Sequence, residues 1–131
     1  MKIYTKQNFE LEVKIDAGSE SIDFYSVNGL EASFNAEMNY TTLEITVEDV
    51  RISEQRKDIY SSIIDALLFN SDIHSELKES FKEEEIENAN FKSLLRSEQA
   101  CNFWLKRGYG EEYNEHDHQE GQQEVIEIEM F

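Results

Sequence analysis

The sequence predicts a single α+β domain, a mixed α/β chain organised on one sheet. Three observations lead to this fold class. Apolar and polar residues alternate in strand-length runs over the first fifty residues, apolar residues then recur at helical spacing, and alternation returns near the C-terminal end. A length of 131 residues suits one compact core. We therefore expect residues 1–131 to form one domain.

Four antiparallel strands are predicted in the first part of the chain. The alternating or strand-forming runs are Phe9–Ile15, Ile22–Val27, Leu30–Met38 and Leu43–Ile52. Asn28-Gly29 separates the second run from the third, and this dipeptide is the strongest short signal for a β-hairpin. A turn near residues 39–41 leads into the fourth run. The pattern indicates a four-stranded meander.

The fourth run changes phase at Glu48-Asp49, since Leu43 and Val47 belong to one alternation and Ile52 to the other. A slip of one residue turns every later side chain to the opposite face unless the strand carries a β-bulge. We therefore expect a bulge at these two residues. A short polar turn follows, and a helix begins near Arg56. A helix that starts directly after a strand presents free amides, which favour an anion.

The remaining elements are mostly helical. A first helix is predicted over about 56–69 and a second, more exposed one from Ile73 to about Glu85, because apolar residues recur at helical spacing. The segment at Phe91–Leu95 fits either a short strand or a helical turn, and both remain open. A last helix ends before Gly108, a plausible C-cap. A polar loop over 110–123 precedes a final strand that contains Ile126 and Ile128.

The charge balance restricts the function classes. Lys and Arg total 12 against 29 Asp and Glu, a formal net charge of −17. Direct nucleic-acid binding is disfavoured, because phosphates would be repelled at long range. Two interpretations stay open: an acidic surface that maintains solubility, or an acidic face that engages a basic protein partner or mimics nucleic acid.

The compartment is predicted to be the cytoplasm. A single cysteine, Cys101, excludes an internal disulfide framework and suits a reducing environment. We expect this side chain to be packed rather than nucleophilic. The sequence contains no apolar run near the ~20 residues of a membrane span, so no membrane association is expected. The N-terminal residues lack the apolar stretch of a signal peptide.

Two motifs resemble those of the GNAT-type N-acyltransferase superfamily. The first is similar in frame to V-x-P-x-x-R/Q-x-x-G-x-G/A, the second to A-x-x-F-Y-x-K-x-G-F. The matching residues are Val50, Ile52, Gln55, Asp58 and Tyr60 in the first, and Ala100, Phe103, Trp104, Lys106, Gly108 and Tyr109 in the second. The resemblance implies a GNAT-like twisted, mostly antiparallel sheet with helices on both faces. It departs from the family in lacking N-terminal helices and a recognisable fifth strand.

The resemblance also implies a cofactor, acetyl-CoA or another acyl-CoA, whose pyrophosphate would bind at the first motif. The residues that it assigns to this site are Val50, Ile52, Gln55, Arg56, Lys57, Asp58, Ile59, Tyr60 and Ser61. Asp58 stands where the family prefers glycine. Either its carboxylate occupies the phosphate position, since helix N-termini favour anions, or it only caps the helix.

The resemblance also assigns two residues to catalytic positions of the acyl transfer. Glu48, at the expected bulge, is assigned as the base that deprotonates an amine substrate, with Glu44 as the neighbouring choice. Trp104 replaces the tyrosine that protonates the leaving thiolate, and an indole N–H is a donor but no acid. His116 and His118 are expected in a solvated loop rather than a metal site.

The leading hypothesis is therefore an acyl-CoA-dependent N-acyltransferase that acts on a small-molecule or peptide amine. The alternative is a catalytically inactive binding or inhibitor protein on the same fold. It would engage a basic partner or mimic nucleic acid. A homodimer remains open in both cases.

Overall fold

Seven strands lie side by side in one sheet, in the order in which they occur along the chain. The computed structural model describes residues 1–47, 57–82, 86–95, 98–109 and 124–131. The strands are β1 (Lys2–Tyr4), β2 (Glu10–Asp16), β3 (Ser21–Ser26), β4 (Gly29–Asn39), β5 (Thr42–Val47), β6 (Asn88–Leu95) and β7 (Glu124–Glu129). The helices are α1 (Lys57–Phe69), α2 (Ser71–Ser80) and α3 (Glu98–Lys106). The mixed α/β class and the mostly antiparallel sheet are thus confirmed.

The predicted meander corresponds to β2–β5, in which every neighbouring pair is antiparallel. The β3–β4 hairpin closes around Val27 and Asn28, one residue earlier than the Asn-Gly dipeptide suggested, because Ser26 pairs with Gly29. Gly29 has a φ of +108°, a backbone conformation that residues with a Cβ rarely adopt. The sequence prediction missed β1, which precedes the meander and buries Ile3 against the core.

Within the described sheet, β5 and β6 form the one parallel pair. The other neighbouring strands of the described sheet are antiparallel. Parallel neighbours need a crossover connection, and α1 and α2 lie within it. Asn70 separates these helices: its Oδ1 accepts the backbone N–H groups of Asp72 and Ile73, at 2.9 and 3.0 Å. This is an N-cap, which ends one helix and starts the next. The second helix ends at Ser80 rather than near residue 85.

The segment whose structure was open, Phe91–Leu95, belongs to β6. This strand lies beside β5, where the family resemblance requires its fifth strand. All six residues of β5 pair with β6, from Thr42 with Asn88 to Val47 with Ser93. The described parts of the two strands are therefore paired along the whole length of β5. The predicted bulge at Glu48-Asp49 lies outside the described residues, as does the polar loop over 110–123.

The described helices cover one face of the sheet, which corrects the prediction of helices on both faces. Ring contacts connect the layers: Tyr60 of α1 packs on Phe103 of α3, and Trp104 of α3 packs on Phe91 of β6. Helix α2 contacts both α1 and β2, and its Ile73 and Leu77 are fully buried in the same core. The second helix is nevertheless the more exposed of the first two, as predicted, since Ile73 and Leu77 are its only buried residues.

An aromatic series runs through the centre of the core. Phe24, Phe34 and Phe91 come from three strands of the sheet, and their rings contact one another edge-on at 5.8 and 6.0 Å between centroids. Trp104 continues the series onto α3, at 5.6 Å from Phe91. Edge-to-face rings at such distances stabilise beyond the area they bury. The series fixes α3 against the middle of the sheet.

Cys101 is 2% exposed, as expected for a packed thiol. Among the described helices, none is long and apolar enough to cross a membrane.

Candidate functional site

The predicted cofactor site is described only in part. Val50, Ile52, Gln55 and Arg56 lie outside the described residues, as does the assigned base Glu48. Helix α1 begins at Lys57, and Asp58 lies exposed in its first turn. This places a carboxylate at the positive end of the helix dipole, as both interpretations of Asp58 require.

The next three residues of α1 face the protein. Ile59 and Tyr60 are 8% and 7% exposed, and the Tyr60 ring contacts Phe103 at 5.6 Å. Ser61 is half-buried, and its carbonyl oxygen accepts a hydrogen bond from Arg107 at 2.8 Å. The Tyr60 ring and the Ser61 carbonyl thus hold α1 against α3, and the side chains of Ile59 and Tyr60 are buried and do not face a cofactor.

Trp104 lies in the core. Its side chain is 0% exposed, and its indole N–H donates to the hydroxyl of Ser93 with 2.9 Å between Nε1 and Oγ. Ser93 is itself fully buried, on the helix-facing side of β6. The single polar hydrogen of this indole is therefore already bound within the protein. A catalytic role, as assigned from the motif, would need an exposed group that Trp104 does not present here.

Gly108 follows the end of α3, as the helical pattern of the sequence predicts. Its φ is +89°, and the amide of Tyr109 donates to the carbonyl of Trp104 at 3.0 Å. This bond closes the last turn in the manner of a glycine C-cap. Tyr109 is half-buried, with its ring at 6.0 Å from Trp104. Gly108 and Tyr109 of the second motif thus end α3 and pack against it.

The opposite side of the sheet, which no described helix covers, is called the open face here. It is formed by the outward side chains of the strands, which alternate with the buried ones. Its carboxylates outnumber its lysines. The carboxylates are Glu10, Glu12, Asp16, Asp23, Glu37, Glu44, Glu127 and Glu129; the lysines are Lys2, Lys14 and Lys92.

The strand register orders the polar groups of β4–β7 into two rows. One row runs Asn35, Thr46, Lys92, Glu127, and the other runs Glu37, Glu44, Asn90, Glu129. Three of the four acids in these rows are exposed, namely Glu37, Glu127 and Glu129. Strands lie about 4.8 Å apart, so Glu37 on β4 lies about 14 Å from Glu127 and Glu129 on β7, three strands away. The three acids therefore act together only on a ligand that extends across several strands. We call this part of the open face the acidic half.

Lys92 is the one lysine that the two rows contain. Its Nζ lies 3.0 Å from Glu44 Oε1, across the parallel β5–β6 pair. The side chains are 29% and 18% exposed, so solvent screens the pair only in part. The hydrogen bond from Lys92 lowers the pKa of Glu44, and the same bond raises the pKa of Lys92. The ammonium of Lys92 is thus held chiefly by Glu44, and Glu127, which lies opposite Lys92 in register, adds a weaker attraction.

The acidic half contains a depression of about 440 Å³ beside β7. It is lined by Thr46, Val47, Lys92, Leu94, Val125 and Glu127. Val125 is 47% exposed and pairs in register with Leu94, so the two apolar side chains lie together on the open face. The depression thus offers an apolar position with a carboxylate next to it.

A second depression, of about 410 Å³, lies between α1 and the loop after β1. Asp65 lines it, but Arg107 binds this carboxylate at 2.6 Å from the other side. Within the described ranges, no group of three or more metal-ligating side chains comes together. His116 and His118 lie outside those ranges.

Comparisons with known proteins gave no match, whether with protein-family models, with curated proteins or with solved structures.

The acidity of the chain was evident from its sequence, but the positions of the acidic residues on the folded surface were not. The signal was present in the meander, where the outward positions of β4, such as Glu37, are polar. The positions of the polar residues of β6 and β7 on this surface could be assigned only from the register of these strands. Lys92 and Glu44 are 48 residues apart in sequence, so their pairing follows only from the parallel contact of two strands, one of which was not predicted with certainty.

Proposed function

We propose that the protein is a non-enzymatic binding protein whose open face, chiefly the acidic half, engages a basic protein surface. The observation that carries this proposal is the sheet face that no described helix covers, on which Glu37, Glu127 and Glu129 are exposed. A face of one sign attracts a partner of the opposite sign and accelerates its association. It also repels nucleic acid, in line with the net charge of −17.

The fixed Lys92–Glu44 pair supports this proposal. A lysine that was free to move would neutralise whichever carboxylate lay nearest and would weaken the attraction for a cationic partner. Lys92 is instead held at 3.0 Å from Glu44, which is half-buried between its neighbours. Glu127 accepts a hydrogen bond from Asn90 at 3.2 Å, and exposed carboxylates such as those of Glu37 and Glu129 can form charge-assisted hydrogen bonds, which are stronger than neutral ones.

The test uses matched charge variants. A triple variant, Glu37→Gln, Glu127→Gln and Glu129→Gln, neutralises the acidic half. The control, Glu76→Gln, Glu79→Gln and Glu98→Gln, removes the same charge from exposed positions on α2 and α3. Binding of a short fluorescein-labelled oligolysine is followed by anisotropy at low and at physiological ionic strength.

We expect the open-face variant to bind about tenfold more weakly, if each exposed pair contributes roughly 0.5 kcal/mol. The control variant should lose about twofold or less through its altered net charge. Equal losses in both variants would mean that the peptide senses total charge only, and the open face would then have no special role.

The second candidate is the acyl-CoA-dependent N-acyltransferase. It is supported by the order of elements, since α1 follows β5 and β6 lies beside β5, the order that the family resemblance implies. Its test is calorimetry with acetyl-CoA, for the wild type and for Asp58→Gly. Heat of binding that grows in the variant supports a carboxylate in the phosphate position. An absence of heat from both proteins leaves this candidate without support.

A further inference from the structure

We propose that β7 is the docking edge of this protein, and that the partner is an extended segment that adds to it as an eighth, antiparallel strand. This inference rests on the proposed function, for which it supplies the binding mode. The segment would carry two basic side chains followed by an apolar one, at alternate positions. Three observations lead to it: the backbone of β7, the side chains along it and the depression beside it.

Among the described residues, no strand pairs with the outer edge of β7, which is the last strand of the sheet. Met130 donates its N–H to Ala89 of β6, and in an antiparallel pair every second residue points its N–H and C=O toward the same neighbour. Ile126 and Ile128 therefore bond to β6. Val125, Glu127 and Glu129 direct theirs away from it. Such an edge is the template that strand addition uses.

The other edge of the sheet suits this role less well. β1 has three residues, and Lys2 on it pairs with Glu10 at 3.0 Å. A short edge strand with a lysine is the usual protection against pairing with another chain. β7 has six residues and no lysine. The contrast favours β7 over β1 as the edge to which a partner strand would bind.

The side chains along β7 specify the chemistry of the added strand. The residues with outward-facing backbone are also those on the open face: Val125, Glu127 and Glu129. In an antiparallel addition, a side chain lies directly opposite each of them, on the same face. Lys or Arg would stand opposite Glu129 and Glu127. An apolar side chain would stand opposite Val125, beside the depression lined by Leu94.

A second copy of this chain is a poor occupant of the same edge. Antiparallel self-pairing centred on Glu127 places this carboxylate against its own equivalent, and Glu129 against Val125. Like charges directly opposite each other destabilise a strand pair. Two chains of net charge −17 also repel each other at long range. The charge of the edge thus selects a basic segment over a homodimer.

The experiment uses the fluorescein-labelled peptide Thr-Lys-Thr-Lys-Thr-Val-Thr, which follows the predicted order. We expect saturable binding that weakens at least tenfold when glutamate replaces both lysines. We expect a similar loss when the backbone nitrogen of the second lysine is methylated, since the bond to the Glu127 carbonyl is then blocked. Undiminished binding of the methylated peptide would overturn strand addition, without any change to the protein.

Protein variants separate the backbone from the charge. Val125→Pro removes one outward N–H and keeps every carboxylate; proline is tolerated where an edge N–H faces solvent. Its control is Val125→Thr, which keeps the N–H. Peptide binding should fall at least tenfold for the proline variant and less than threefold for the threonine variant, with folding checked by circular dichroism.

Amide hydrogen exchange gives a readout on the unmodified protein. Bound peptide should slow the exchange of the Val125, Glu127 and Glu129 amides. If these rates do not change while the peptide still binds in a manner that depends on Glu37, Glu127 and Glu129, the edge inference fails and the open-face proposal stands. If the neutralised triple variant binds as well as the wild type, the proposed function fails. Dimerisation of the wild type through β7 would contradict the choice of partner.

Discussion

The indole of Trp104 on α3 donates to the hydroxyl of Ser93 on β6, and both residues are 0% exposed. One hydrogen bond therefore joins the helix layer to the sheet inside the core. Ser93 is a polar residue on a strand face that is otherwise apolar, and Trp104 supplies its partner. A buried polar pair of this kind is stable only while both members are present.

We expect Ser93→Ala and Trp104→Phe each to lower the free energy of unfolding, because each leaves the other's polar group buried and unpaired. The cost of an unpaired group is about 1–3 kcal/mol, and Trp104→Phe adds a loss of packing. The double variant should be less destabilised than the sum of the single ones. Urea unfolding of the four proteins completes the cycle. Strict additivity would show that the two side chains do not interact.

Within the helix layer, Arg107 connects the end of α3 to α1. Its Nη2 donates to the carbonyl of Ser61 at 2.8 Å and to Asp65 Oδ1 at 2.6 Å, and the guanidinium lies 4.9 Å from the Phe103 ring centroid. Lysine keeps the charge but lacks the planar fork. We expect Arg107→Lys to cost about 1–2 kcal/mol in thermal unfolding. Lys106→Gln, at the exposed neighbouring position, is the control. An equal effect of the two substitutions would refute the assignment.

The Lys92–Glu44 pair predicts a dependence of stability on pH. The pKa of Glu44 is lowered by its hydrogen bond from Lys92. Its contribution is thus present above the pKa that this carboxyl has in the unfolded chain and is lost as the pH falls through the folded value. The pKa of Lys92 is raised by the same bond. Its contribution is present below the ordinary lysine pKa and is lost as the pH rises through the folded value.

Lys92→Gln should therefore destabilise the protein most between these limits, by about 1 kcal/mol. Glu44 pairs in register with Glu37, and removal of the lysine leaves two carboxylates opposite each other, which adds to the loss. Urea unfolding at neutral pH and at a pH below the carboxyl range measures the difference. A difference from the wild type that stays constant over this interval would show that the pair contributes nothing to folding.

The N-cap between α1 and α2 gives a prediction for the crossover. Asn70 accepts the amides of Asp72 and Ile73. We expect Asn70→Ala to lower stability by about 1 kcal/mol and Asn70→Asp to retain most of it, since both Asn and Asp cap well. Ser75→Ala, at an exposed position within α2, should have little effect. Thermal unfolding of the three variants distinguishes a cap from a surface residue.

The sequence was sufficient for most of the meander. In β2–β5 the alternation is regular because one face is buried and the other is wet, and the hairpins carry turn residues. The same alternation already indicated an uncovered face, as the outward positions of β2 show with Glu10, Lys14 and Asp16. The prediction of helices on both faces came from the family resemblance instead, and it was wrong for the described residues.

Two strands lacked such a signal. β1 buries a single residue, Ile3, and three residues are too few for a period to be visible. In β6 the buried position of Ser93 interrupts the apolar series, so a strand and a helical turn fitted equally well. The acidic half of the open face depends on the register of β6 with both β5 and β7. The grouping of these residues on one face therefore could not be predicted from the sequence pattern, although each residue could be read in the sequence.

The most direct test of the central claim is a map of where a basic ligand contacts the protein. In a titration of isotope-labelled wild-type protein with the unlabelled form of the same oligolysine, the amide resonances of β4–β7 should shift, with those of Glu37, Glu127 and Glu129 among the largest changes. Those of Glu76, Glu79 and Glu98 on the helices should move little. Shifts that are spread evenly over both layers, or that are concentrated on the helices, would contradict a binding role for the open face.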